Sequence, residues 1–274
     1  MTQMLPLAQM AETVLRTADA REKTAASRRF AAQWQAARAQ GEAVEIGQAT
    51  PPDQPARPTT PELRDPREVP RRRTGTAAGR IALLHAVAHI ELNAVDLHWD
   101  IIARFTATPM PIGFYDDWVR AADEESKHFK LMADCLEAMG SHYGALVAHA
   151  GMWRAASDTV DDLMGRLAVV PMVLEARGLD VTPGMITIFE KAHDDATAAM
   201  AVDALRIIYA EEVHHVAYGS KWFHFLCGRH DIDPKDAFHA LVQRYFHGAL
   251  KPPFNEEKRA EAGIPPDFYW PLAQ

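Results

Sequence analysis

One short phrase occurs twice in this chain. Glu124-Glu125-Ser126-Lys127-His128-Phe129 returns as Glu211-Glu212-Val213-His214-His215-Val216, an E-E-x-x-H-apolar pattern within two long helical stretches. A Glu and a His three positions apart project from one face of a helix, so each copy offers a carboxylate and an imidazole to a common point. Two such helices, joined by two more that each turn one glutamate inward, are the makings of a di-metal carboxylate centre inside a four-helix bundle. Glu91 and Glu175 are placed to supply those glutamates.

The hydrophobic periodicity supports that placement. From Thr74 to about Phe105, Leu84, Ala88, Glu91, Val95 and His98 share one stripe at steps of four and three. A second helix is predicted from about Tyr115 to Met139, with Gly140 as its C-cap and Trp118, Ala122, Glu125, Phe129, Met132, Leu136 and Met139 on its apolar stripe. The turn between them centres on Pro109. Glu91 lies 18 residues before it and Glu125 lies 16 after, so an antiparallel hairpin sets both at nearly one height. A third helix is expected from about Asp158 to Arg177, kinked at Pro171 and ended by Gly178, with Thr182-Pro183 starting a short helix over 183–194. A fourth runs from about Ala196 to Cys227 with Leu205, Ile208, Glu212, His215, Gly219, Trp222 and Leu226 on its stripe. The 34 residues from Glu91 to Glu125 and the 37 from Glu175 to Glu212 give two similar helix hairpins.

Electrostatics narrows the reading further. Four carboxylates converging in a bundle interior lose hydration and repel one another, at several kcal/mol per ion. Two divalent cations balance four carboxylates, and two neutral imidazoles complete the shell. Mixed oxygen and nitrogen donors suit iron or manganese, and no cysteine is placed for a zinc thiolate site. The expected ligands are Glu91, Glu125, His128, Glu175, Glu212 and His215, with Glu124 and Glu211 facing solvent. Glu211-x-x-His214 is a rival register. Taken singly, Glu91 could instead pair with Arg80 or Arg177, and each histidine could be a hydrogen-bonded core residue. His98 lies two turns beyond Glu91, where a cavity lining or a core hydrogen bond are the alternatives. Tyr209 and Tyr218 flank the second phrase as redox-active, outer-sphere or plain packing groups, and Glu190 and Asp194 either orient His215 or another ligand or face solvent. His85 and His89 point away from Glu91.

The remaining chain frames this core. Residues 1–40 read as a helical arm with Leu5, Met10, Val14 and Leu15 at helical spacing. Seven of the 18 prolines lie between Pro51 and Pro70, followed by Arg71-Arg72-Arg73, which predicts an extended strap whose arginines are solvated and paired with acidic helix faces, with phosphate binding as the alternative. Residues 140–156 form a connection, Asp233-Pro234 starts a helix to about Gly248, and the last 25 residues form an irregular strap. The expected organisation is arm and strap over 1–73, bundle over 74–228, and helix plus tail over 229–274. No strand pattern persists, so the fold class is all-α. A net charge of -8 argues against nucleic acid as partner. No apolar run reaches the roughly 18 to 20 residues of a membrane span, and no secretory block opens the chain. Cys135 and Cys227 read as small buried residues of a cytoplasmic protein.

These residues resemble the ferritin-like superfamily and, within it, a mainly bacterial group of unknown function, family 455. His89-Ile90-Glu91-Leu92, Glu124-Glu125 through His128-Phe129, Leu174-Glu175-Ala176-Arg177-Gly178-Leu179-Asp180 and Glu212-Val213 through His215-Val216 carry the likeness, as do Gly219 to Trp222-Phe223, Pro253-Phe254-Asn255 and Ala262-Gly263. The resemblance covers nearly the whole chain. It implies a ferritin-like four-helix bundle holding two iron (or manganese) ions on the six residues above, and it supplies no substrate. The expected activity is a di-iron oxidoreductase that uses dioxygen to hydroxylate or oxidise a small organic substrate, drawing on an electron donor. An iron-binding or ferroxidase protein and a metal-free scaffold are the alternatives. A monomer or dimer is expected rather than a cage, and the break at Gly178 to Pro183 is expected to open one side of the site.

Overall fold

The computed structural model describes residues 4–65, 68, 70, 73–149, 151–192 and 195–274; Arg71, Arg72 and Asp194 lie outside them. The class is all-α, and the described strands are two pieces of two residues each. The chain forms two compact units, Met1–Trp153 and Arg154–Gln274.

In the first unit the N-terminal residues make two helices, α1 (Leu7–Arg16) and α2 (Ala20–Ala39). The break between them is set by Asp19, whose carboxylate accepts from the N–H groups of Arg21 and Glu22, each at 2.9 Å. Neither helix is a free arm. Leu7, Met10, Val14 and Leu15 are fully buried, while Leu5 before α1 is exposed. The two helices pack on α3 (Ala77–Arg104) and α4 (Ile112–Ala138). One hydroxyl joins three of them: Ser27 of α2 accepts from Trp99 Nε1 of α3 and from Ser126 Oγ of α4, each at 2.8 Å. Thr76 caps α3 by accepting from Gly79 N at 3.1 Å, and Pro109 and Pro111 end the connection to α4 as expected.

The Pro-rich strap is extended because prolines deny it backbone donors. Its carbonyls are taken by side chains: Pro52 O by Arg104, Asp53 O by Trp153 and Ala56 O by Lys23, at 2.9 Å each. Lys23 is itself buried against Asp96 at 2.5 Å. Farther along, β1 (Leu63–Arg64) pairs in parallel with β2 (Ala148–His149), a ladder too short to show as alternation in the sequence.

After α5 (Gly151–Asp158), the second unit runs through α6 (Leu163–Val169), a π-helical turn (Val170–Glu175) and α7 (Ala176–Glu190) into α8 (Ala196–His230). Here the structure departs from the sequence expectation. Helix 3 neither stops at Gly178 nor restarts at Thr182-Pro183: α7 passes through both Gly178 and Pro183. A proline cannot donate to the carbonyl four residues back, and here that carbonyl belongs to Leu179. Asn255 from the C-terminal tail replaces the missing donor, its Nδ2 reaching Leu179 O at 3.1 Å. The expected opening at a helix end is therefore not formed there.

The tail fastens this helix at further points. Asp180 accepts from Asn255 N at 2.9 Å and from Arg259 at 2.9 and 2.7 Å, and Arg177 donates to Lys251 O at 2.7 Å. The Arg259 guanidinium lies over the rings of Phe254 and Tyr269, at 5.0 and 4.7 Å. The C-terminal region holds α9 (Pro234–Tyr245), the helix expected from Asp233-Pro234, and then two short helices, α10 (Glu256–Glu261) and α11 (Pro266–Tyr269), where an irregular strap was expected.

Candidate metal centre

The α3–α4 hairpin brings together three of the expected ligands. Glu91 Oε2 lies 3.3 Å from His128 Nδ1, and Glu125 Oε2 lies 3.4 Å from the same nitrogen. Glu91 is 4% exposed, and Glu125 and His128 are fully covered, so none of the three is a solvated surface group. Burial first, and the charge of Glu125 second, push the Glu91 carboxyl up to about 8, while a hydrogen bond with His128 pulls it down. A fourth donor joins on the same face. His98 Nε2 is 3.5 Å from Glu125 Oε1, and its ring stacks on Trp118 with centroids 5.3 Å apart.

These separations can be tested against metal geometry. Nitrogen and oxygen donors sit about 2.1 Å from small divalent ions. Two donors on one ion are then about 3.0 Å apart at a right angle and about 3.4 Å apart at a tetrahedral angle. The observed 3.3 and 3.4 Å fall at the upper edge of that bite, and the 3.5 Å of His98 lies just beyond it. The donor set, two carboxylates and two imidazoles with no thiolate, also fits.

In the second unit, Glu212 and His215 lie on the buried face of α8, with His215 Nδ1 3.8 Å from Glu212 Oε1. His214 is exposed and Glu211 half-buried, so of the two registers it is Glu212 and His215 that are buried. Glu175 closes the π turn and is buried. That turn lies against α8 where Gly219 has no side chain; a Cβ there would come within 2.4 Å of Pro171 Cγ.

A family model described as "Protein of unknown function (DUF455)" matches residues 16–270. The chain belongs to that family. An uncharacterized protein of Haemophilus influenzae is 39% identical over 212 residues, covering 76% of this chain and 72% of the relative. No solved structure matches the chain. The matched span of the DUF455 model includes all six expected ligands and His98.

Other sequence expectations in this DUF455 chain resolve more simply. Glu124 is largely covered and pairs with Arg120 at 3.0 Å, where solvent exposure was expected. Arg177 serves the tail and Asp180, so it does not take up Glu91. Glu190 makes a surface pair with Arg206 at 2.8 Å, and Tyr209 accepts from Asn255 Nδ2 at 2.6 Å. Tyr218 has its ring 6.5 Å from that of His215. Both cysteines are buried and unbridged, and burial pushes each thiol up to about 11, which leaves them unreactive.

His85 and His89 do point away from Glu91, into a separate cluster. His89 Nδ1 meets the Tyr143 hydroxyl at 2.9 Å, and His85 Nε2 accepts from Gly144 N at 3.0 Å. Burial lowers both imidazoles to about 4 and keeps them neutral. They border a cavity of about 430 Å³ that also meets Leu83, Val147 and His149. Glu91, His98, Glu125 and His128 do not line it, so the cavity is not the space beside the candidate centre. Among the described residues, no helix is long and apolar enough to cross a membrane.

Proposed function

We propose that Glu91, Glu125, His128, Glu175, Glu212 and His215 hold two divalent transition-metal ions, iron or manganese, and that the protein is a di-metal oxidoreductase. In this reading α3, α4, the segment from α6 to α7, and α8 form a ferritin-like four-helix bundle around the ions. The observation that carries it is the buried trio of Glu91, Glu125 and His128, whose donor atoms already have a metal's bite. Two adjacent carboxylates in a dry interior are costly unless a cation neutralises them. The second E-x-x-H pair, on the buried face of α8, offers the matching donors.

Bound there, iron or manganese would supply the one-electron redox chemistry with dioxygen that protein side chains lack. The chain's own contribution is positioning and dryness. Glu125 directs its two oxygens at two different imidazoles. Trp118, Ala122 and Phe129, buried along the same stripe of α4, exclude water from the carboxylates. A small organic molecule oxidised in such an apolar setting is the substrate class that fits, with electrons from an external donor.

Metal analysis after anaerobic ferrous reconstitution tests the assignment. About two ions per chain are expected in the native protein. Glu125→Ala is expected to abolish uptake while the far-ultraviolet circular dichroism stays helical. Normal two-metal loading of that variant would refute it.

A further inference from the structure

We propose that His98 is a seventh protein ligand, making the centre a three-histidine site in which Glu125 lies between two ions with unlike ligand sets. The inference rests on the di-metal reading above and goes beyond its six residues. Glu125 Oε2 shares a 3.4 Å approach with His128 Nδ1, whereas Oε1 shares a 3.5 Å approach with His98 Nε2. The two carboxylate oxygens thus face different imidazoles. A carboxylate that bridges two ions presents one oxygen to each, so one ion takes His128 and the other takes His98.

Three further features favour ligation over ordinary core packing. His98 lies on the Glu91 stripe of α3, two turns nearer the Pro109 connection, and so covers a part of the centre that Glu91 does not. Its ring is fixed by the Trp118 stack, as a ligand's must be for its lone pair to hold direction. Its side chain is completely buried, and the atom it turns to Glu125 is Nε2, the ring nitrogen farthest from the backbone. Should His215 serve the same ion, that ion has two imidazoles and is the softer, more nitrogen-rich of the pair.

The test uses the full chain and manganese(II) or zinc(II) as the only added ligand. Native protein is expected to bind two manganese ions as a spin-coupled pair. His98→Gln is expected to weaken one ion by more than about 100-fold, the upper end for a residue that acts only through another ligand. It should leave one manganese with the six-line resonance of an isolated ion. In a parallel measurement on the native chain, ¹⁵N-histidine spectra with zinc(II) should show three imidazole nitrogens moving to metal-bound positions. Two such nitrogens, or a His98→Gln variant that keeps both ions at native affinity, would overturn the proposal while leaving the six-residue centre standing. Native protein that binds neither manganese(II) nor, after anaerobic reconstitution, iron(II) would remove the underlying di-metal reading itself.

Discussion

Replacing Gly219 by alanine probes how the helix carrying Glu212 and His215 is held against the turn carrying Glu175. An added Cβ would lie 2.4 Å from Pro171 Cγ and 2.5 Å from Pro171 Cβ, where ordinary contact begins at 3.4 Å. The proline ring cannot swing aside, so α8 and the π turn must separate by about 1 Å. Forcing extra atoms into a packed interior costs about 1–3 kcal/mol. Alanine returns up to about 1 kcal/mol through its better helix propensity. With that full gain subtracted the net loss is about 0–2 kcal/mol, read as a lower urea midpoint in circular dichroism at 222 nm than the Gly184→Ala protein shows. Gly184→Ala is the control. It is also a helical glycine, but an added Cβ there meets nothing within 4 Å, so it should stabilise by about 0.5–1 kcal/mol. A Gly219→Ala protein as stable as the Gly184→Ala protein would refute the claimed close approach. A Gly219→Ala/Pro171→Ala double variant should recover part of the loss, because the two residues share the contact.

Two further outcomes follow from buried charge. Arg259→Met leaves Asp180 covered without its bidentate partner and should cost about 3–5 kcal/mol in urea unfolding. His85 has its folded-state imidazole lowered to about 4 by burial, so the unfolded chain binds the proton more tightly. The stability this group contributes is full above its ordinary 6.5 and is lost as pH falls through about 4. His85→Gln should flatten that part of the stability profile while still accepting from Gly144 N.

Much of the core was legible because it depends on local spacing. The α3–α4 hairpin follows from two apolar stripes and prolines between them, and the register of Glu212 and His215 follows from the same periodicity. The N-terminal helices were visible as helix, but their division at Asp19 and their burial depend on partners in α3 and α4. The run through Gly178 and Pro183 was misread for a physical reason. Local chemistry there says stop, and the group that overrules it, Asn255, is 76 residues away. The π turn at Pro171 was read as a kink, since its accommodation depends on the bare Gly219 of another helix. His98 could be placed on the right stripe, but only the course of α4 shows which carboxylate oxygen it meets.

The dependence of α7 on the tail sets an order of events during synthesis. Asp180 and Arg259 are 79 positions apart, so at about 5–20 residues per second their clamp arrives roughly 4–16 s after the helix has been made. Until then Leu179 lacks the Asn255 donor, and Asp180 has Arg177 at 3.4 Å but not its bidentate partner. A nascent chain therefore carries its Glu175 turn on an unfinished helix, and a segment translated later completes it.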